Sequence, residues 1–261
     1  MELIIYGAIF IIGTLLGSFF TLAVYRIPLK QDITHERSYC PKCNHRLEFL
    51  DLIPILSYLF LGGKCRYCKE KIRPRYLLLE VFSGLLFLLF AISLKIDIFN
   101  LEISKLVYLL FGMFYISTLF IIGGIEKENH LVSIPVLVFG LIIEVLYIIY
   151  LYIVNISIYK YVIYLFLILT ILIINKILSN KKEKQNYALQ ILALCFYLAI
   201  GTKEENVIVS ILITLLLMGI KQIINKIKER KEKSNSNKQI PVGFYLCFAN
   251  IAALILHNFV I

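Results

Sequence analysis

The chain is constrained first by its apolar runs. From Leu3 to Tyr25 no side chain carries a charge. At 1.5 Å per residue such a run is about 34 Å of helix, enough to cross a hydrocarbon core of about 30 Å. No water reaches the backbone there, so an open run of this kind must satisfy its own N–H and C=O groups as a helix. Comparable runs follow at Tyr76–Leu94, Leu106–Ile125, Leu131–Val154, Tyr161–Ile177, Tyr187–Ile200, Val207–Ile220 and Ile240–Ile261. They predict an all-α polytopic membrane protein with about eight transmembrane helices, the sixth and seventh short and extended by flanking polar residues. A transmembrane barrel would instead alternate polar and apolar residues in segments of about ten. Composition agrees: 60% of the 261 residues are hydrophobic, 17% are charged, and the mean hydropathy is +0.84. The first run has neither a basic leading region nor a small-residue cleavage site, so it reads as an anchor rather than a removable signal.

Net charge of +10 would suit a nucleic-acid binder, but in a polytopic chain the placement of charge matters more than its sum. With the amino terminus outside, 23 of the 27 Lys and Arg fall in cytoplasmic loops, leaving Lys95, Lys105, Lys160 and Lys203 outside. The positive-inside rule therefore predicts that the first loop, residues 26–75, lies in the cytoplasm. The basic run Lys226–Lys238 reads as a solvated inside loop, and no nucleic-acid partner is expected. Within the first loop, Leu50–Gly62 is apolar but too short to span, and is expected to lie against the membrane. Glu144 sits deep in a span and is expected to hydrogen-bond a neighbouring one.

That loop contains Cys40-x-x-Cys43 and Cys65-x-x-Cys68, with 21 residues between the pairs. Each pair can present two sulfurs on one tight turn, and two such turns complete a tetrahedral four-thiolate site suited to zinc. Two disulfides are the alternative, and the reducing cytoplasm disfavours them. His45 is a further candidate ligand, although four cysteines already close the site. Cys195 and Cys247 lie in apolar spans and read as core residues.

The neighbours of these cysteines form a longer pattern. Gly17-Ser18-Phe19 is followed by Tyr25-Arg26-Ile27-Pro28, then by Arg37-Ser38-Tyr39-Cys40-Pro41-x-Cys43. Asp51-Leu52-Ile53-Pro54-Ile55-Leu56-Ser57-Tyr58, Gly63-Lys64-Cys65-Arg66-Tyr67-Cys68, Ile72-Arg73-x-Arg75-Tyr76 and Glu80 complete it. Over about residues 10–85 this resembles the amino-terminal domain of bacterial prepilin peptidases, the type IV leader peptidases. Ile240-Pro241-Val242-Gly243-Phe244 resembles that family's carboxy-terminal signature, and between them only topology is shared. The resemblance divides the chain into an amino-terminal domain, 1–85, and a membrane domain corresponding to the peptidase region, 86–261. It implies an enzyme of the bacterial inner (cytoplasmic) membrane that cleaves type IV prepilin or pseudopilin leaders at the cytoplasmic face by an aspartyl-protease mechanism, with structural zinc in the loop. It also implies N-methylation of the new terminus with S-adenosylmethionine.

In that mechanism two carboxylates at the cytoplasmic ends of two spans share a proton, one activating water and the other assisting the scissile amide. The chain has three aspartates, Asp32, Asp51 and Asp97, and none lies at either expected place. At the first place stands Glu126, nine residues before Pro135, which keeps a carboxylate at a span end. Its extra methylene displaces the oxygens by about an ångström, a misplacement that can cost on the order of a hundredfold in rate. At the second place, Lys184-Gln185-Asn186-Tyr187-Ala188-Leu189-Gln190 contains no carboxylate, and the nearby Glu183 reads as a loop charge. Glu144 lies 18 residues after Glu126, about 27 Å on a continuous helix, too far for one dyad. The histidines (His35, His45, His130 and His257) are scattered, and neither H-E-x-x-H nor G-x-S-x-G occurs. Two readings follow: a peptidase using Glu126, or a catalytically impaired relative that binds pilin precursors or assembly machinery without proteolysis.

Overall fold

Apolar runs become helices throughout. The computed structural model describes residues 2–96, 102–182, 186–202, 204–232 and 240–260. Its helices are α1 (Glu2–Arg26), α2 (Leu56–Phe60), α3 (Arg75–Ser93), α4 (Ile103–Asn129) and α5 (Ile134–Ile153). They continue as α6 (Tyr159–Lys182), α7 (Tyr187–Gly201), α8 (Glu204–Glu232) and α9 (Val242–Val260). Seven of the described helices are long and apolar enough to cross a membrane; α7, with 15 residues, is apolar but only about 22 Å long. The described residues form no strand, only two isolated bridges, Tyr39 with Arg46 and Lys64 with Lys71. The chain packs as two compact units, Met1–Met113 and Phe114–Ile261.

In the first unit α1 lies along α3 at close range. Gly13 and Gly17, one turn apart, meet Ser83 and Gly84, and a Cβ on Gly13 would stand 2.9 Å from the Gly84 Cα. Small residues at this spacing are what lets two membrane helices approach backbone to backbone. The Ser83 hydroxyl donates to the Gly13 carbonyl at 2.8 Å, and Phe20 stacks on Phe87 beside it. At the end of α1 the buried Arg26 turns inward. Its guanidinium donates to the carbonyls of Asp32, Glu36 and Arg37, folding the start of the loop back on the helix end.

The second unit has a core of Tyr115, Ile116 and Leu119 from α4, Leu137 from α5, and Leu194, Tyr197 and Leu198 from α7. Polar groups inside it bond to one another. Tyr115 donates to Asn250 at 2.8 Å, and Asn250 reaches Thr202 and Ser210, so α4, α8 and α9 share one network. Glu144 does not join it. The carboxyl is fully buried, yet neither oxygen has a hydrogen-bond partner among the described residues, contrary to the expected bond to a neighbouring span. The continuous-helix distance between Glu126 and Glu144 does not apply either, because residues 130–133 break α4 from α5, with His130 at φ +53°.

Candidate functional site

The four cysteines meet. Their sulfurs all lie within 4.8 Å of one another, and Cys40 Sγ stands 3.8 Å from Cys68 Sγ. Zinc–sulfur bonds of about 2.3 Å in a tetrahedron place sulfurs about 3.8 Å apart, whereas a disulfide needs about 2.05 Å. The donor set therefore fits a tetrahedral thiophilic ion, which would tie the two halves of the loop together.

The two turns that present the sulfurs are built alike. Cys40 N–H donates to the His45 carbonyl and Cys65 N–H to that of Glu70, while Asn44 and Lys69 donate back to Cys40 and Cys65. Asn44 and Lys69, each just after the second cysteine, have φ near +55° to +59°, and each turn is flanked by one of the two bridges. The loop is thus one knuckle used twice. His45 is not a ligand; its ring packs on Tyr67 at 3.6 Å. Asp51 joins the second knuckle to the turn at Phe49–Asp51 by accepting from Arg66 Nε at 2.6 Å. Backbone N–H groups, that of Cys43 first, lower the Cys40 thiol to about 7. Against the pull of the Glu70 N–H, burial and the neighbouring sulfurs of Cys43, Cys65 and Cys40 push the Cys68 thiol up to about 11.

Glu126 occupies the last turn of α4 and is fully buried. One oxygen accepts from the Tyr187 hydroxyl at the start of α7, and the other accepts from the Phe244 N–H at 2.8 Å in the first turn of α9. An N–H in the first turn of a helix has no partner within its own helix, so Glu126 caps α9 from outside and favourably meets its positive end. Gly243 makes room, since a Cβ there would sit 3.3 Å from both Glu126 Cγ and Ile191 Cδ1. The Lys127 ammonium lies over the Phe244 ring at 4.6 Å. Gln190, one turn along α7 from Tyr187, accepts the Val132 N–H and holds the α4–α5 junction. Asn175 of α6 in turn accepts the Asn186 N–H that opens α7.

So Glu126 and the segment that opens α7, the two places singled out in the sequence, come together, and the second presents a phenol. The described groups bonded to Glu126 are a hydroxyl and a backbone N–H, not a second carboxylate. Asp32 and Asp51 belong to the first loop; Asp97 and Glu183 lie outside the described residues. Tyr187 was not picked out from the sequence because a tyrosine opening an apolar run reads as an ordinary interfacial aromatic.

A model of the bacterial Peptidase A24 N-terminal domain matches residues 11–94. Over these residues the chain is similar to the amino-terminal domain of that peptidase family. Among its relatives, proteins named Prepilin leader peptidase/N-methyltransferase, that of Myxococcus xanthus is 44% identical over 79 residues, 30% of this chain and 24% of the relative. That of Vibrio cholerae is 38% identical over 117 residues, 41% of this chain and 46% of the relative. That of Bacillus subtilis is 37% identical over 133 residues, 51% of this chain and 50% of the relative. The chain thus spans about half, or less, of each of these relatives. No solved structure matches it. The cavity beside the knuckle, lined by Cys40, Cys65, Tyr58, Tyr76 and Glu80, holds about 230 Å³, and another, lined by His35, Glu36, Arg37, Tyr39, Asn44 and Arg46, about 610 Å³.

Proposed function

We propose that the protein handles pilin-like precursors at the cytoplasmic face of the bacterial inner membrane, as a prepilin-peptidase relative that binds the leader without cutting it. The carrying observation is the partner set of Glu126. An aspartyl-protease site needs two carboxylates sharing a proton around one water. Here each oxygen of the single carboxylate already accepts a bond from Tyr187 or Phe244, and both bonds tie helix ends together. Four thiolates holding zinc would keep the amino-terminal loop in a fixed shape for recognition, a role that needs no chemistry from the metal. The names of the relatives support the substrate class.

Proteolysis is the second reading, favoured by one observation: a buried carboxyl survives at the end of α4. A synthetic precursor peptide, with a basic leader ending in Gly before an apolar segment, separates the two. The protein in nanodiscs is expected to bind this peptide and return it at full mass. A peptide shortened by its leader, with the loss abolished by Glu126→Ala, establishes the second reading instead.

A further inference from the structure

The loop exposes a large apolar face. Phe49 is 81% and Phe60 85% exposed, and Leu50, Leu52, Leu56 and Leu59 are exposed between them. On α2, Leu56, Leu59 and Phe60 stand at i, i+3 and i+4, one side of the helix. Tyr58 points the other way, its hydroxyl packed under Gly63 and reaching the Ile72 carbonyl. An outward patch of this kind on a loop otherwise rich in charge marks a surface that something covers.

The attachment of α2 says what. The Ile55 N–H, immediately before α2, donates to Glu80 Oε2 at 2.8 Å. Glu80 is five residues past Arg75, where α3 starts, so α2 begins about 7.5 Å along that membrane-length helix. Tyr76 and Leu78 are exposed on α3 at the same level. Between α2 and the start of α3, Lys64, Arg66, Lys69, Lys71, Arg73 and Arg75 are exposed. An apolar face tied to the first turns of a membrane-length helix, on a loop with exposed basic residues, has the makeup of an interfacial anchor on an anionic leaflet.

We propose that residues 49–60 form such an anchor, with the occupant of the face being the lipid of the leaflet that α3 enters. Phe49, Leu59 and Phe60 dip among the upper acyl chains, and the basic residues of the loop meet lipid phosphates. Glu80 fixes the depth, and the cysteine knuckle is thereby pinned against the membrane surface. The proposal stands whether or not the chain cuts its precursors.

The chain has no tryptophan, so one introduced residue reports alone. Phe60→Trp is made in the full chain, in nanodiscs containing anionic lipid, with Lys42→Trp on the exposed first knuckle as reference. Phe60→Trp is expected to be quenched several-fold by lipids brominated high on the acyl chain and shielded from aqueous iodide, with Lys42→Trp the reverse. Iodide access to Phe60→Trp equal to that of Lys42→Trp overturns the proposal. Shielding that develops only when an apolar pilin-like peptide is added overturns it too, making the face a protein-docking surface. If Phe60→Trp loses zinc and the loop with it, Leu59→Trp carries the same expectations.

Discussion

Glu126, Tyr187 and Gly243 bring the ends of α4, α7 and α9 together at one carboxyl group. A carboxylate at a helix end, facing another helix's free N–H, is stabilising whatever its ancestry. Removing one partner of a buried charge-bearing bond costs about 1–3 kcal/mol. Tyr187→Phe is therefore expected to lower the unfolding midpoint by that equivalent, read by thermal unfolding in nanodiscs, and Glu126→Ala to lower it further. A purely catalytic Glu126 would leave stability unchanged. Glu126 could be found from its spacing to Pro135, but its partners could not, because they sit 61 and 118 residues away in sequence. The cysteines were legible because tight ligand spacing is local. The push of Cys68 to about 11 adds a pH dependence. Zinc needs thiolates, so at neutral pH binding must expel that proton, and affinity rises with pH. Competition with a chelator is expected to show zinc held about tenfold less tightly per pH unit lowered for each proton displaced, and lost under acid. A flat profile between pH 6 and pH 9, roughly spanning the range below Cys68, would contradict this assignment of its thiol.

At the level of elements, hydropathy located the helices because the bilayer leaves the backbone one choice. Their lengths were less legible. Beyond the apolar run, α8 continues to Glu232, while α7 stays at 15 residues, its ends set by the Asn175 bond and the break at Thr202. The close approach of α1 and α3 was present in the sequence as Gly13-x-x-x-Gly17, yet only contact with Ser83 and Gly84 gives that spacing its meaning. Gly13→Leu puts four carbons where 2.9 Å separates a Cβ from backbone, so it is expected to separate the pair. Overpacking of this kind costs about 1–3 kcal/mol or more. A drop in the unfolding midpoint with zinc still bound would locate the damage in the helix pair; an unchanged midpoint would refute the packing.

For the whole molecule, the two units were legible to different degrees. In the first, loop residues are held by specific contacts: Arg26 on three carbonyls, Asp51 on Arg66, Glu80 on Ile55. Such contacts demand particular residue types in order, which is why the family shows there. In the second, most core positions ask only for apolar bulk that fills space, so sequence reports topology and little else. In that second unit Glu126 is paired with Tyr187, and the proposed binding without cleavage rests on this pair. The proposal is tested most directly by the mass of a pilin-like precursor co-produced with the protein in cells lacking other leader peptidases. The precursor is expected to co-purify with the protein and to keep its leader. A mature, leaderless pilin made with the wild-type chain, and absent with Glu126→Gln, would contradict it.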